Sequence, residues 1–378
     1  MENSTLLTES LNATANTETS MKGLVIVEYT LFAIIFIVGV VGNILVCLVI
    51  LKTPSMRSTR NYLIINLAIA DITVALVCIP FDVVIKIYGD TWVLGAALCK
   101  IIWPSMTLVT TCSAATLAAI SYDRYRAVVH PWKPRLTQRQ TAIVIFITWV
   151  FSSIIVLPYV VVLKLDEQGC NEYWHKDLYR QLYTAFLFVF SYSLPLVIIA
   201  FAYVRVALKL KEQAEKIARN KKASGAISMT NYSWSKTAKE DISENLTSSP
   251  RHYKKDCALL QDFNSGYAND KSTPSPTTPE NPQKEVKRLE RNTRIVKMLV
   301  TVVLIYALCL LPNQLVWMWI EFGDGTSYPR LTTLLTFTGM LVYINSIVNP
   351  FLYAGMNDEF KKGFEKLLCC KREYGKRF

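Results

Sequence analysis

Hydrophobic and polar positions along this chain alternate in long blocks instead of at the short periods of a soluble core. Seven apolar runs, 28–51, 61–86, 99–122, 139–163, 181–206, 295–320 and 331–354, come close to the roughly 20 residues needed to cross a bilayer as helix. The pattern predicts an all-α membrane protein, a seven-transmembrane helix bundle. After the last run Phe360, Phe364, Leu367 and Leu368 recur at helical spacing with Lys361, Lys362 and Lys366 on the other side, which adds a C-terminal amphipathic surface helix. Between spans five and six, 213–290 is rich in Lys, Ser, Thr, Asn and Pro and too poor in apolar residues for a core, so it reads as a long, mostly disordered loop with helical ends. The chain thus divides into an N-terminal segment (1–27), spans one to five (28–212), the loop (213–290), spans six and seven (291–356) and a surface helix with tail (357–378).

Charge orients the bundle. Lys52, Arg57 and Arg60 follow span one, and Arg124, Arg126, Lys133, Arg135 and Arg139 follow span three, so both loops are expected in the cytoplasm. The tail, with Lys371, Arg372, Lys376 and Arg377, falls on the same side by parity, which leaves the N-terminus extracellular in a multi-pass protein of the plasma membrane. The first 20 residues are polar and acidic, so span one is expected to serve as an uncleaved insertion signal. Asn3 and Asn12 begin glycosylation sequons on the extracellular side; those at Asn231 and Asn245 lie in the loop assigned to the cytoplasm. A formal net charge of +12 raises nucleic acid as a partner, but the excess flanks apolar spans, where topology and anionic membrane lipid account for it.

Of nine cysteines, Cys99 and Cys170 fall at the outer face and can form a disulfide, which would pin the second outer loop over the bundle and contribute about 4 kcal/mol by loop closure. Cys47, Cys78, Cys112 and Cys309 read as apolar packing. Cys369 and Cys370 end the surface helix at headgroup depth, as acylation sites or as idle thiols. Within the spans Asp71 stands out, since a carboxylate there costs about 2.5 kcal/mol or more unless satisfied. It can be satisfied by interhelical hydrogen bonds alone, or Asn43, Ser113, Asn345, Ser346 and Asn349 at similar depth can join it in a polar core that holds a small cation. At the other end of span three, Asp123 can hold Arg124 of Asp123-Arg124-Tyr125 as a releasable latch. Asn349-Pro350 bends span seven one turn before Tyr353, and Pro80, Pro158, Pro195 and Pro312 mark weak points elsewhere.

Taken together, Asn43, Asp71, Cys99, Asp123-Arg124-Tyr125, Trp149, Pro195, Tyr203, Pro312 and Asn349-Pro350-Phe351-Leu352-Tyr353 occur in the order and spans of one family. The sequence resembles a rhodopsin-like (class A) G-protein-coupled receptor, across nearly the whole chain except the termini and the long loop. The resemblance implies no catalysis and no required cofactor. It implies an agonist bound in the outer half, an outward swing of span six around Pro312, and a heterotrimeric G protein, with arrestin and receptor kinases as further partners. Arg124, Tyr203 and Tyr353 would line the crevice that opens, and Asp71, Ser113, Asn345, Ser346 and Asn349 match an allosteric sodium pocket. The chain departs from the family at Leu310, where a tryptophan is usual, at Tyr306, where a phenylalanine is common, and at Ala114, where a bulkier residue is.

The ligand class follows from what the pocket holds. Tyr343 stands where an opsin carries its lysine, and Met106 where an amine receptor carries its aspartate. Cys170-Asn171-Glu172-Tyr173-Trp174 looks like the hairpin loop of neuropeptide receptors for amidated ligands, and Glu321, nine residues beyond Pro312, matches a carboxylate that receives an arginine. Candidate contacts are Glu321, Glu172, Asp82, Met106, Trp103, Tyr343 and Gln314. Asp324, Trp92, Tyr173, Trp174, Trp317 and Trp319 extend the acidic, aromatic character of the mouth, although charged and aromatic residues at span ends also belong simply to the interface with water. The expected ligand is a basic amidated, RFamide-like neuropeptide. A lipid or other small molecule is the alternative, given the apolar surface around Met106 and Trp103. A secondary transporter would need internal repeats and broken helices, and His130, His175 and His252 fall in loops, where they form no buried catalytic pair.

Overall fold

The computed structural model describes residues 2–89, 91–167, 169–244 and 282–368, with 2–22, 24, 221–244 and 282 described by backbone alone. Among the described residues, seven helices are long and apolar enough to cross a membrane: α1 Val25–Lys52, α2 Thr59–Ile87, α3 Gly95–Val129, α4 Gln138–Val162, α5 Asp177–Asn220, α6 Gln283–Phe322 and α7 Leu331–Met356. The amphipathic helix α8 follows at Asp358–Leu368. The seven predicted spans are all present, and most of their ends run further than the apolar runs, because a helix stops at a cap and not at the edge of the hydrocarbon. Ser58 caps α2 by accepting from the Asn61 amide, and Thr137 and Gln140 form a reciprocal capping box at α4. The helix of α1 begins at Glu2, and that of α5 continues to Glu244.

Two spans carry π-helical turns, Val74–Cys78 in α2 and Phe188–Ser193 in α5, each ending just before Pro80 or Pro195. Proline has no N–H to donate and its ring crowds the preceding turn, and the wider turn absorbs both. Such bulges leave no mark on the hydrophobic pattern.

The helices bury polar groups alongside apolar ones and turn many other apolar side chains outward. Ile37, Phe146, Ile154, Val197 and Leu304 are exposed, whereas Asn43, Asn66, Asp71, Thr116 and Asn349 are buried. In lipid, hydrogen bonds and close packing hold helices together, because hydrocarbon gains nothing by leaving hydrocarbon. Asn66 donates to Thr116 Oγ1 at 2.8 Å and accepts from Trp149 Nε1 at 2.9 Å, joining α2, α3 and α4. Thr111 donates to Ser191 at 2.8 Å between α3 and α5, and Tyr192 donates to the Ala307 carbonyl at 3.0 Å between α5 and α6. Asn43 donates to the Ser346 carbonyl at 2.9 Å, closing α1 onto α7.

Helix α8 docks through Phe360, which is buried and stacks on Tyr353 with ring centroids 5.2 Å apart. A Cβ at Gly363 would lie 2.4 Å from Val49 Cγ1, so only glycine lets α8 approach α1 this closely. Between α4 and α5, Leu163–Asp166 (β1) and Gly169–Glu172 (β2) form an antiparallel hairpin with Leu165 opposite Cys170. This is the hairpin expected of that loop. From Leu208 the described residues of α5 belong to a second unit, in which surface pairs such as Lys209–Glu212 at 2.8 Å and Lys216–Glu212 at 3.0 Å line the helical extension.

Candidate functional site

The hairpin closes one end of the bundle. Cys99 and Cys170 are disulfide-bonded with Cα atoms 5.7 Å apart, which ties the first turns of α3 to β2. Beneath the bond, Ile85, Trp92, Cys99, Ile102 and Leu163 form a buried cluster against which Trp103 and Phe81 pack. Trp92 donates to the Gly95 carbonyl at 2.9 Å and lies 5.9 Å from Trp103, so this pair of tryptophans props up the hairpin, a packing role that the sequence pattern does not separate from ligand contact.

The four acidic side chains that the sequence singles out for this end, Asp82, Glu172, Glu321 and Asp324, are each engaged. Tyr343 donates to Asp82 Oδ2 at 2.5 Å, joining α7 to α2. Trp319, in the last turn of α6, donates to Asp324 Oδ1 at 2.9 Å just beyond the helix end. Trp174 donates to Glu172 Oε2 at 2.6 Å, and Tyr183 stacks between Trp174 and Tyr159 at centroid distances of 5.2 and 6.4 Å. Glu321 receives Arg180 Nε on Oε2 at 2.9 Å. The donors just named for Asp82, Asp324 and Glu172 are neutral, so they stabilise the carboxylates without cancelling charge. Partial desolvation, together with the nearby Glu321 charge, raises the Glu172 carboxyl from its ordinary value, while Trp174, Arg180 and Tyr159 pull the other way; the residue as a whole stays exposed.

Met106 is half-buried against a cluster that contains Phe32, Val109, Met340 and Tyr343. Gln314 is half-buried on α6. Nearby, Lys86 of α2 pairs with Glu28 of α1 at 2.9 Å and donates to Thr336 of α7 at 2.8 Å, a three-helix junction for which the sequence offers no signal.

Midway through the bundle, Asn349 donates to Asp71 Oδ2 at 2.9 Å. A cavity of about 10 Å³ lined by Asp71, Ser113, Asn345 and Ser346 opens beside them, with Tyr306 and Leu310 on its α6 wall. That volume is close to the lower limit for one water-sized occupant. One carboxylate with hydroxyl and amide oxygens around a space of this size is a donor set suited to a dehydrated monovalent cation. Two of the three departures from the family pattern, Tyr306 and Leu310, therefore face this cavity, where Tyr306 fills the wall and reaches the Ser191 carbonyl at 3.4 Å.

At the end opposite the disulfide, Arg124 is held by its neighbour Asp123, with Nε 3.2 Å from Oδ2. Tyr125 turns to His130, whose Nε2 lies 3.2 Å from its hydroxyl. Tyr203 is buried beside Arg124 and Ser121. Tyr353 is buried too, and its hydroxyl has no hydrogen-bond partner among the described residues. An unsatisfied buried hydroxyl costs about 1–3 kcal/mol, and that cost favours any rearrangement that gives it a partner. Arg294 at the foot of α6 pairs with Asp358 at the start of α8. The side chains of Asn3 and Asn12, and Cys369 and Cys370 altogether, lie outside the described residues.

This arrangement of seven spans, an Asp123–Arg124 pair at the end opposite the disulfide and Pro350 within α7 can be compared with known proteins, and residues 42–353 match the profile of the 7 transmembrane receptor (rhodopsin family). The chain belongs to this family. It is a multi-pass membrane receptor of the rhodopsin-like, G-protein-coupled class, a family of signalling receptors. It is similar to the RYamide receptor of Tribolium castaneum, 27% identical over 344 residues that cover 90% of this chain and 80% of that receptor. It is also similar to the cholecystokinin receptor type A of Cavia porcellus, 27% identical over 357 residues that cover 91% of this chain and 81% of that one. Both similarities cover most of the chain, the hairpin and the Glu321 end of α6 included.

Proposed function

We propose that this receptor answers to an amidated peptide carrying arginine next to an aromatic C-terminus, and that it passes agonist binding to heterotrimeric G proteins. The observation that carries this reading is a pair of carboxylates at the disulfide end, Glu321 buried and Glu172 exposed, set among Trp174, Tyr159 and Tyr183. A guanidinium pairs there by charge-assisted hydrogen bonds, and an aromatic amide finds ring surface. One relative is named for RYamide, whose letters spell arginine followed by an amidated tyrosine, and the other for cholecystokinin. In this reading the disulfide end is extracellular, with Asn3 and Asn12 glycosylated. Arg124 faces the cytoplasm of a plasma-membrane protein, where Tyr203 and Tyr353 receive the G protein and later arrestin and receptor kinases, and Cys369 and Cys370 are acylated. A panel of amidated peptides applied to cells expressing the receptor, with calcium and cAMP as readouts, tests the reading. Peptides with a penultimate arginine activate, and their citrulline counterparts do so only at far higher concentration. Silence to every peptide with a response to a lipid contradicts the ligand class and leaves the family standing.

Two further results are expected. Sodium held by Asp71, Ser113, Asn345, Ser346 and Asn349 favours the resting state, so replacing potassium by sodium in the assay buffer lowers agonist affinity, and Asp71→Asn removes that effect. A sodium effect that persists in Asp71→Asn contradicts the cation site. Because the Glu172 carboxyl is raised, it takes up a proton at a higher pH than an ordinary carboxylate as the medium is acidified. Only the anionic form attracts the ligand's cation, so agonist affinity falls as pH drops through that range. Competition binding checks this: the pH dependence flattens in Glu172→Gln, and an unchanged profile there assigns it to another group.

A further inference from the structure

Glu321 already holds a guanidinium, that of Arg180 in the first turns of α5. The two partners differ in burial: the Glu321 side chain is 6% exposed and that of Arg180 41%. A buried carboxylate needs a cation, and an exposed arginine does not need that carboxylate. The contact is made through Arg180 Nε to a single oxygen, Oε2. The terminal Nη2 points elsewhere, 4.0 Å from Oδ1 of Asp177, which is exposed one turn earlier on α5. Arg180 thus stands between a buried seat on α6 and an open one on its own helix. Beside it, Gln181 Nε2 donates to the Glu321 carbonyl at 3.1 Å, so α5 and α6 are stapled at this end by neighbouring residues.

From this geometry we infer that Arg180 is an internal stand-in for the ligand's cation: it occupies Glu321 in the resting receptor and turns to Asp177 when an incoming guanidinium takes the seat. The inference deepens the peptide reading and rests on it for the nature of the natural ligand. It makes Arg180 a specificity-determining residue. A neutral or poorly matched peptide cannot displace a guanidinium that forms its own ion pair, whereas a ligand arginine exchanges like for like and keeps Glu321 paired throughout. Glu172 adds to the negative charge around the seat, since its carboxylate feels the charges of both Glu321 and Arg180. Exchange at this position also releases one of the two staples between α5 and α6, at the end of α6 remote from the crevice that must open.

Chemical rescue tests the stand-in without any peptide agonist. Full-length receptor in detergent is melted with and without millimolar L-argininamide, with norleucinamide as the uncharged-side-chain control. Arg180→Gln leaves Glu321 without its cation and melts below wild type. Argininamide raises its Tm by about 3 °C, the wild type moves by less than a third as much, and Arg180→Gln/Glu321→Gln does not move. Arg180→Lys, whose ammonium keeps the charge but loses the planar fork, gives an intermediate shift and serves if Arg180→Gln fails to accumulate. Equal shifts in wild type and Arg180→Gln, or an undiminished shift in the double variant, overturn the inference. Silence of the wild type to arginine-containing peptides, with rescue intact, contradicts the peptide reading and not the stand-in. Activation by those peptides without rescue places the ligand's arginine elsewhere and contradicts the role of Arg180.

Discussion

Glu321→Gln is expected to lower the potency of an arginine-containing agonist by about 100-fold while leaving its citrulline analogue unchanged. Losing one partner of a desolvated, hydrogen-bonded charge pair costs about 2–5 kcal/mol, and each 1.4 kcal/mol is tenfold. The loss is selective because glutamine keeps the shape and hydrogen-bonding reach of the side chain and removes only its charge. Concentration–response curves at matched surface expression make the comparison. Equal loss for both peptides would point to general damage at the end of α6, and no loss for either removes the physical basis of the ligand assignment.

Cys170→Ala is expected to abolish most high-affinity binding and to reduce the amount of receptor at the cell surface. The disulfide spans a sequence separation of 71 residues, and removing a native bond typically costs about 2–5 kcal/mol. The loss concentrates where it matters for ligand, since β2 carries both Cys170 and Glu172 and the Trp92–Trp103 pair packs beneath them. Cys99→Ala/Cys170→Ala should be no worse than either single change. Cell-surface labelling together with binding of a labelled agonist checks both points, and near wild-type binding by Cys170→Ala would show that the hairpin holds its place without the bond.

Much of this site could be read along the chain because membrane depth is written in the apolar runs. Asp71, Ser113, Asn345 and Ser346 lie far apart in sequence yet at similar depth in their spans, and the structure gathers them around one small cavity with Asn349 on Asp71. The pairing of Cys99 with Cys170 followed from their places at one face. What depth does not encode is the direction a side chain takes around its helix axis. Arg180 and Glu321, 141 residues apart, meet through rotation as much as height, and neither α5 nor α6 announces it. The same holds for Lys86 and Glu28, and for Trp103, which depth alone places equally well in the pocket or under the hairpin. Tyr306 and Leu310 were legible as departures from a pattern, but that both face the Asp71 cavity required the fold. The π turns before Pro80 and Pro195 were legible only as weak points.

The central claim is that occupation of the Glu321 end and opening at the Arg124 end are two faces of one equilibrium. Reconstituting the receptor in lipid nanodiscs with a purified heterotrimeric G protein, and measuring the affinity of an arginine-containing amidated peptide with and without nucleotide-free G protein, tests it directly. Linkage requires that G protein raise peptide affinity by the same factor by which peptide raises G-protein affinity, typically about 5 to 150-fold. A reciprocal increase of that size, lost in Arg124→Ala, is the predicted result; peptide affinity indifferent to G protein across the available heterotrimer classes would contradict the account.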